Sequence, residues 1–398
     1  MAKRTMQKNH DVLVHPYEKA SKKLRVLKFA LIFVLIAFLL GGLLVLKDEF
    51  TAENLRFLLR DIGLSSPSLG LDASSLNFDY DTSLRADLYH GDLVLLKRSS
   101  LEVYSFSGSR SLNQNVAFSS PALVTGNKYM LAYDIGGTNL GIYNSFSELY
   151  TEEFEYKLFC ADLADDGTFA VVTGEKGFHS ALYVYNNEFE RTFRYATADR
   201  VVYDVAVCRE KPHLVALCAV RSENGDYLSE ILLFDTTRAE VKKTWSFPSE
   251  MPLEIQFEKE NALSFITDAG LHILNPNTDK NTTHAYAEND LALFFTQEQY
   301  AVLLKNSGII GSTLTVDVID TNNPSEKRSF DLNSQVLDVA LGEHDLYLLS
   351  HDSLSVFSLS SGTLKTHKLQ HEYKEILPLS GGRVAFVGEG SVSIYMVG

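Results

Sequence analysis

The sequence predicts an all-β fold, a β-propeller of eight blades that is preceded by one transmembrane helix. Three observations lead to this prediction. One short strand pattern recurs eight times, the copies are spaced 38 to 49 residues apart, and an uncharged apolar run stands near the N-terminus. A period near forty residues, carried by strand-forming residues, is typical of stacked four-stranded blades. Seven blades, with one copy lying in an insertion, is the alternative.

The recurring pattern is an apolar residue, any residue, and then two apolar residues. Its copies are Leu101–Tyr104, Leu140–Tyr143, Leu182–Tyr185, Ile231–Phe234, Leu271–Leu274, Val316–Ile319, Leu354–Phe357 and Val392–Tyr395. Turn-forming Gly, Asn, Asp, Ser or Pro residues follow most copies. Around the third copy, further strands are predicted at 158–162, 168–173 and 191–195. Each copy is therefore expected to be one strand of a four-stranded blade.

The two ends of the repeat region predict how the ring closes. The last copy ends at Tyr395, and the three residues after it are too few for an outer strand of the eighth blade. The segment Leu76–Tyr80 precedes the first blade and has the alternation of a strand. We expect this segment to supply the missing outer strand, because ring closure leaves no exposed edge between the first and last blades.

The apolar run at 29–46 predicts an uncleaved membrane anchor. At 1.5 Å per residue it spans roughly 27 Å, close to the hydrocarbon thickness of a bilayer. A cleaved signal peptide is the alternative, but such a peptide has a shorter apolar core and a small-x-small cleavage motif. The chain would thus contact the lipid bilayer through Phe29 to Leu46.

Charge predicts the orientation of the chain in the membrane. The tail at 1–28 holds eight basic and two acidic residues, so the positive-inside rule places it in the cytoplasm and the C-terminal domain outside the cell. Of the total charge of −15, the tail contributes +6 and the rest −21, which disfavours binding to nucleic acid or to an anionic membrane surface. The predicted domains are the tail, the helix at 29–46, a juxtamembrane helix and linker at 47–70, and the propeller at 71–398.

One motif has the appearance of a phosphate site. The segment Tyr133–Asn139, with the sequence YDIGGTN, resembles the phosphate-binding turn of the sugar-kinase and actin-like ATPase superfamily. That resemblance implies a metal-binding Asp134 and a phosphate cradled by backbone amides. The superfamily needs alternating strands and helices, however, and this chain offers strands alone. We therefore interpret the segment as the turn between the second and third strands of blade two.

Two acidic or amide-rich turns have part of a calcium-loop pattern. Asp162, Asp165 and Asp166 lack the alternation of ligands. The second turn has that alternation, but Lys280 stands where Gly is needed and Tyr286 where the bidentate Glu belongs. The alternating residues of this second turn are Asn275, Asn277, Asp279 and Asn281. Both segments are interpreted as turns, although Asn281 also begins a glycosylation triplet.

Histidine and cysteine spacing does not indicate a metal site. His367 and His371 fall near a predicted outer strand, where a four-residue spacing separates them. Cys160, Cys208 and Cys218 are interpreted as buried small side chains, with a Cys208–Cys218 bridge left open. No catalytic, cofactor-binding or metal-binding residue is predicted.

In layout the chain resembles WD-repeat-like and quinoprotein-like propellers, and more closely uncharacterised single-pass propeller proteins of Gram-positive bacterial envelopes. It departs from these patterns because no Trp-Asp pair ends a repeat strand and Trp245 is the single tryptophan, so a quinone cofactor is not expected. The resemblance implies a scaffold that binds an envelope protein or senses a wall-derived ligand. The alternative is a hydrolase or lyase acting on glycans or lactones, with a site in the central channel built from several blades.

Overall fold

Thirty-two strands in eight antiparallel sheets of four make up the described propeller. The computed structural model describes residues 28, 29, 31, 34 and 76–397, except 224, 239, 259–261, 279, 288, 298 and 307–312. Each sheet is one blade, and within blades 1 to 7 its strands follow one another in chain order. The predicted all-β propeller of eight blades is confirmed, and the seven-blade alternative is wrong.

The strand bounds are as follows. Blade 1 holds β2 (Arg85–Tyr89), β3 (Asp92–Leu96), β4 (Ser100–Tyr104) and β5 (Arg110–Asn115), and blade 2 holds β6 (Pro121–Thr125), β7 (Met130–Asp134), β8 (Asn139–Tyr143) and β9 (Glu148–Glu153). Blade 3 holds β10 (Leu158–Leu163), β11 (Phe169–Glu175), β12 (Phe178–Tyr185) and β13 (Arg191–Thr197), and blade 4 holds β14 (Val201–Val207), β15 (Leu214–Glu223), β16 (Asp226–Asp235) and β17 (Glu240–Pro248). Blade 5 holds β18 (Pro252–Phe257), β19 (Leu263–Thr267), β20 (Gly270–Leu274) and β21 (Asn281–Ala285), and blade 6 holds β22 (Leu291–Gln297), β23 (Tyr300–Asn306), β24 (Leu314–Asp320) and β25 (Lys327–Leu332). Blade 7 holds β26 (Val336–Leu341), β27 (Asp345–Ser350), β28 (Ser353–Ser358) and β29 (Leu364–Lys368), and blade 8 holds β30 (Glu375–Leu379), β31 (Arg383–Val387), β32 (Ser391–Met396) and β1 (Leu76–Asn77).

The recurring pattern is the third strand of every blade, and packing between blades explains its form. In blade 3, Leu182 and Val184 pack against blade 4, whereas Tyr185 packs against blade 2. Successive side chains of a strand point to opposite faces of the sheet. The first and third positions of the pattern therefore face the following blade, and the fourth faces the preceding one. Both faces of this strand are buried, and the hydrophobic core lies between neighbouring blades.

The ring is closed by the N-terminal strand, as predicted. Leu76 pairs with Val392 and Asn77 with Ser391, so β1 is the outer strand of blade 8. Its ladder is shorter than the predicted 76–80, although the Phe78 amide also donates to the Gly390 carbonyl at 3.0 Å. Leu76 and Phe78 pack with Leu93 of blade 1 and Val387 of blade 8, so one short segment joins the first and last blades.

The chain divides into two units, Met1–Leu59 and Arg60–Gly398. Of the first unit, Lys28, Phe29, Leu31 and Val34 are described, and all four are helical and exposed. No helix among the described residues combines the length and the apolar character needed to cross a membrane. The rest of the predicted transmembrane helix at 29–46, the tail at 1–27 and the linker at 47–70 lie outside the described residues, so these predictions stay predictions.

Candidate functional site

The first strands of all eight blades surround a central channel. At the end where each first strand turns into the second, the channel widens into a cavity of about 740 Å³ lined by residues of every blade. Cavities of this size hold small molecules in other proteins. The cavity is therefore one candidate binding site, and the opposite end of the channel, where the first strands begin, is another. We call that opposite end the strand-start face.

Five consecutive first strands, those of blades 3 to 7, carry a β-bulge close to the strand-start face. In each, one residue is skipped by the pairing with the second strand. The skipped residues are Phe159, Tyr203, Leu253, Ala292 and Leu337. A bulged residue is left out of the ladder, and the strand bends around it. As a result Phe159, Tyr203 and Leu253 are exposed although they stand in otherwise buried strands.

Acidic side chains of the first strands fasten neighbouring blades together. At six of the eight blade boundaries, one carboxyl accepts a hydrogen bond from the next blade. The pairs are Asp87 with Thr125 Oγ1 (2.7 Å), Asp162 with the Val207 amide (2.7 Å), Asp204 with the Ile255 amide (3.1 Å), Glu254 with Thr296 Oγ1 (2.7 Å), Asp338 with the Ile376 amide (2.8 Å) and Glu375 with the Ala86 amide. Sequence reasoning missed all six contacts, because an acidic residue in a strand has no local sign that its partner is an amide or a hydroxyl of the next blade.

Burial changes the proton affinity of these carboxyls. Loss of water raises the pKa of Asp338 to about 6 and those of Asp204 and Glu375 to about 7, against the opposing effect of the amide hydrogen bonds. Burial likewise raises the pKa of Asp87 and Asp162. The channel wall therefore exchanges protons with solvent near neutral pH.

Glu258 differs from the other acidic residues of the channel wall. Its side chain is 5% exposed, and neither carboxylate oxygen has a hydrogen-bond partner. Burial, with a smaller contribution from the nearby Glu254, raises its pKa to about 8 against the opposing effects of the Ser264 hydroxyl and the Arg209 charge. The Arg209 guanidinium is the cation near Asp87, Asp162 and Glu258, and it lies 3.4 Å from Asp165.

The channel has few of the features of a catalytic site. The carboxyls of the blade boundaries bond to the neighbouring blade, although Asp87, Asp338 and Glu375 also line the cavity. No histidine lines the cavity among the described residues. In the part of the chain that the structure describes, no three His, Cys, Asp or Glu side chains are grouped to hold a metal ion. The hydrogen bonds of these carboxyls hold neighbouring blades together, and their arrangement gives less indication of acid–base catalysis.

The phosphate-like segment is a turn between β7 and β8, as interpreted. Asp134 is buried and accepts hydrogen bonds from the amides of Ser119 (2.9 Å) and Ser120 (2.6 Å). The Gly136 amide donates to the Leu158 carbonyl, and the Gly137 amide to the Asp134 carbonyl. The amides that would cradle a phosphate are thus already bonded within the protein.

The calcium-like segments do not bring their ligands together. Asp162 bonds to blade 4 and Asp165 lies near Arg209, whereas Asp166 accepts from the amide of Thr168 (2.8 Å) within its own turn. In the second segment, Asn275 accepts from the amides of two following residues, Asn277 and Thr278. Asp279 lies outside the described residues, and Asn281 begins β21.

The histidines and cysteines are placed as follows. His367 lies in β29, whereas His371 follows the end of that strand. Cys160, Cys208 and Cys218 are buried and not in disulfides, so the Cys208–Cys218 bridge that the sequence left open is not formed. Burial raises the pKa of all three thiols, which keeps them protonated and unreactive.

An apolar surface lies on the strand-start face of blades 2 to 5. Of the thirteen large apolar side chains exposed on the described propeller, seven lie there. We call these seven the apolar face: Ile135, Phe159, Phe178, Val201, Tyr203, Tyr227 and Leu253. Each stands at the start of a first or third strand, or just beyond the end of a second. Apolar side chains gathered in this way, rather than scattered singly, mark interaction sites.

A long hairpin rises beside the apolar face. The strands β15 and β16 have ten residues each, the longest of the described propeller. Because Val220 pairs with Val201 at the start of β14, the remainder of the hairpin projects beyond the face. Tyr227 lies near its tip, and Arg221 and Glu230 form an ion pair on it (3.2 Å). An aromatic residue with mixed charges around it is a common composition for a protein contact.

Comparison with known proteins places the fold and leaves the activity open. A protein-family model described as a family of unknown function (DUF5711) matches residues 73–396. No curated protein matches the sequence. The structure is similar to BamB from Moraxella catarrhalis, with a TM-score of 0.53 and 11% identity over 81% of this chain and 98% of that chain.

Two further solved structures are similar at the same level. The quinohemoprotein alcohol dehydrogenase from Comamonas testosteroni gives a TM-score of 0.55 and 9% identity over 84% of this chain and 77% of that chain. The WD40 domain of SCAP from fission yeast gives a TM-score of 0.50 and 10% identity over 81% of this chain and 96% of that chain. These TM-scores show a shared propeller fold of the quinoprotein and WD40 type, which confirms that part of the resemblance.

Proposed function

This chain belongs to the DUF5711 family, a family of unknown function, and we propose that its propeller is a protein-binding scaffold tethered to the outside of a cell membrane. The observation that carries the proposal is the apolar face beside the long hairpin of blade 4. Phe and Tyr side chains are enriched in protein interfaces, and Tyr is among the residues that supply most of the binding energy. The partner is an envelope protein, in a Gram-positive bacterium by the layout of the chain.

The proposed tether rests on the sequence. The apolar run at 29–46 is long enough to span a bilayer, and the basic tail before it favours the cytoplasmic side. The charge of −21 after the tail would repel anionic lipid, so we assign the apolar face to a protein rather than to the membrane surface. Labelling intact cells with a membrane-impermeant amine reagent tests the orientation, since it should modify propeller lysines and spare those of the tail.

Substitution in the apolar face should weaken binding of the partner. We expect the double variant Tyr203→Ser and Leu253→Ser to retain its unfolding midpoint, because both side chains are exposed, and to bind its partner at least about tenfold more weakly. The measurement is proximity labelling in the native membrane with the full chain, followed by titration of the partner that it identifies.

A matched control distinguishes binding by this surface from nonspecific binding by exposed apolar side chains. Leu149→Ser with Leu364→Ser removes two exposed apolar side chains, neither of which belongs to the apolar face, from the outer strands of blades 2 and 7. This control should label the same partner as the unmodified chain. Equal loss in both double variants, or loss in neither, would rule out the apolar face as the binding site.

A hydrolase or lyase with a site in the channel is the second candidate. The cavity of about 740 Å³ and the carboxyls of raised pKa in its wall are the observations that favour it. Asp338 and Glu375 line this cavity from adjacent blades. Turnover of a glycan or lactone that Asp338→Asn abolishes, in a variant that still folds, would support this candidate over the scaffold.

A further inference from the structure

The contact between blades 5 and 6 is poorer in hydrogen-bond donors than the contacts around it. Glu254 is served by one hydroxyl, Thr296 Oγ1, at 2.7 Å. The same hydroxyl lies 2.5 Å from Gln256 Oε1, and a hydroxyl has a single proton to donate. Two half-buried acceptors of blade 5 therefore share one donor of blade 6.

Glu258 adds an unpartnered carboxyl to this contact. It follows Glu254 and Gln256 at two-residue steps, so its side chain faces blade 6 as theirs do. Blade 6 gives neither of its oxygens a hydrogen bond, and the hydroxyl near it, that of the buried Ser264, belongs to blade 5. A charged carboxylate buried without a partner is strongly unfavourable, whereas a neutral carboxylic acid is tolerated.

Three other blade boundaries can support a charged carboxyl. Asp162, Asp204 and Asp338 each accept a backbone amide of the next blade and a second amide from the following residue of their own strand. Amide hydrogen bonds stabilise the ionised form. The first strands of blades 4 and 5 also pack closely, whereas those of blades 5 and 6 make few contacts.

We propose that the seam between blades 5 and 6 is a proton-binding switch, in which Glu254 and Glu258 are neutral carboxylic acids in the closed propeller and release their protons to alkaline solvent, loosening the seam. Glu254 lies on β18 and Glu258 directly follows that strand, and the neighbouring blade supplies too few donors for them. This switch goes beyond the proposed scaffold role and does not depend on it, because it needs no partner protein.

The electrostatic surroundings favour the neutral forms. Burial raises the pKa of Glu254, and Asp162 raises it further, against the effect of the Thr296 hydrogen bond. Glu258 faces Glu254 and Arg209, with a pKa raised to about 8. Asp204 is a further acidic neighbour of Glu254. The folded chain thus holds protons that the unfolded chain loses at lower pH, so the stabilisation is complete in acid and declines as the pH rises through about 8.

Hydrogen exchange of the full chain in detergent micelles tests the switch. After correction for the intrinsic exchange rate, we expect exchange in β18 and β22 to be about tenfold faster at pH 8.5 than at pH 6.5. Exchange in β10 and β14 should change little, because their carboxyls remain hydrogen-bonded when charged. Glu258→Gln, which is neutral and of the same size, should remove most of the increase.

Control variants keep the result interpretable. Glu240→Gln alters an exposed carboxyl on the outer strand of blade 4 and should behave as the unmodified chain. If Glu258→Gln does not fold, Glu254→Gln tests the same seam and should also reduce the increase. Uniform acceleration in all blades, or an unchanged increase in the Gln variants, would overturn the proposal. Protection by added calcium at pH 8.5 would also overturn it, because the seam would then hold a metal ion.

Discussion

Deleting residues 71–82 is expected to destabilise the whole propeller, because this segment carries the outer strand of blade 8. Leu76 and Phe78 bury apolar surface between the first and last blades, and two apolar side chains of this size contribute roughly 3 kcal/mol together. The deletion also exposes the edge of β32. We expect a loss of at least this size in the free energy of unfolding, with one transition and a lower midpoint. Urea unfolding followed by far-ultraviolet circular dichroism measures it.

A neighbouring deletion provides the control for ring closure. Removing residues 64–70, within the predicted juxtamembrane helix and linker at 47–70, shortens the chain next to this segment but retains β1. Its midpoint should match that of the unmodified chain. If both deletions behave alike, the pairing of Leu76 with Val392 does not hold the ring, and closure must come from the packing of blades 1 and 8 alone.

Asp204→Ala is expected to have an effect of similar size from a single side chain. The Asp204 carboxyl accepts the amides of Val205 (2.9 Å) and Ile255 (3.1 Å), and the substitution leaves both amides buried without an acceptor. Each unsatisfied buried amide costs about 1–3 kcal/mol, so we expect a loss of about 2–5 kcal/mol in the free energy of unfolding. The midpoint of urea unfolding at pH 8, compared with that of the unmodified chain, measures this loss.

Asp226→Ala is the matched substitution for this test. Asp226 begins β16 at the exposed tip of the blade 4 hairpin, where its backbone is part of the ladder and its side chain meets solvent. This variant should unfold within about 0.5 kcal/mol of the unmodified chain. A loss for Asp204→Ala no larger than this would mean that the carboxyl does not fasten blades 4 and 5.

The blades could be predicted from the sequence because the third strand of each blade packs against its two neighbouring blades in the same way. Positions such as Leu182 and Tyr185 face opposite neighbours, so both must be apolar in every blade, and the repeat is visible in one chain. Ring closure could be predicted for a related reason. A strand-like segment without a local partner precedes the first blade, and the last blade lacks an outer strand.

The candidate site could not be predicted in the same way. Phe159 and Tyr203 read as core positions in apolar strands, and only the bulges turn them out to solvent. A bulge depends on how two strands pair, and a single strand has no sign of it. The contacts of the channel-wall carboxyls were missed because most of their partners are backbone amides, which every residue but proline possesses, and the others are threonine hydroxyls.

The pairing of β1 with β32 also determines the order in which the protein can fold. Leu76 is among the first propeller residues to be synthesised, and its partner Val392 is among the last. Contacts so distant along the chain form slowly, because a long loop must close before they gain any stability. Until then the apolar surfaces of blades 1 and 8 that will face each other are open to water and to other chains. A product that ends before Ser391 would never cover them, and we expect such chains to aggregate rather than to persist as seven-bladed rings.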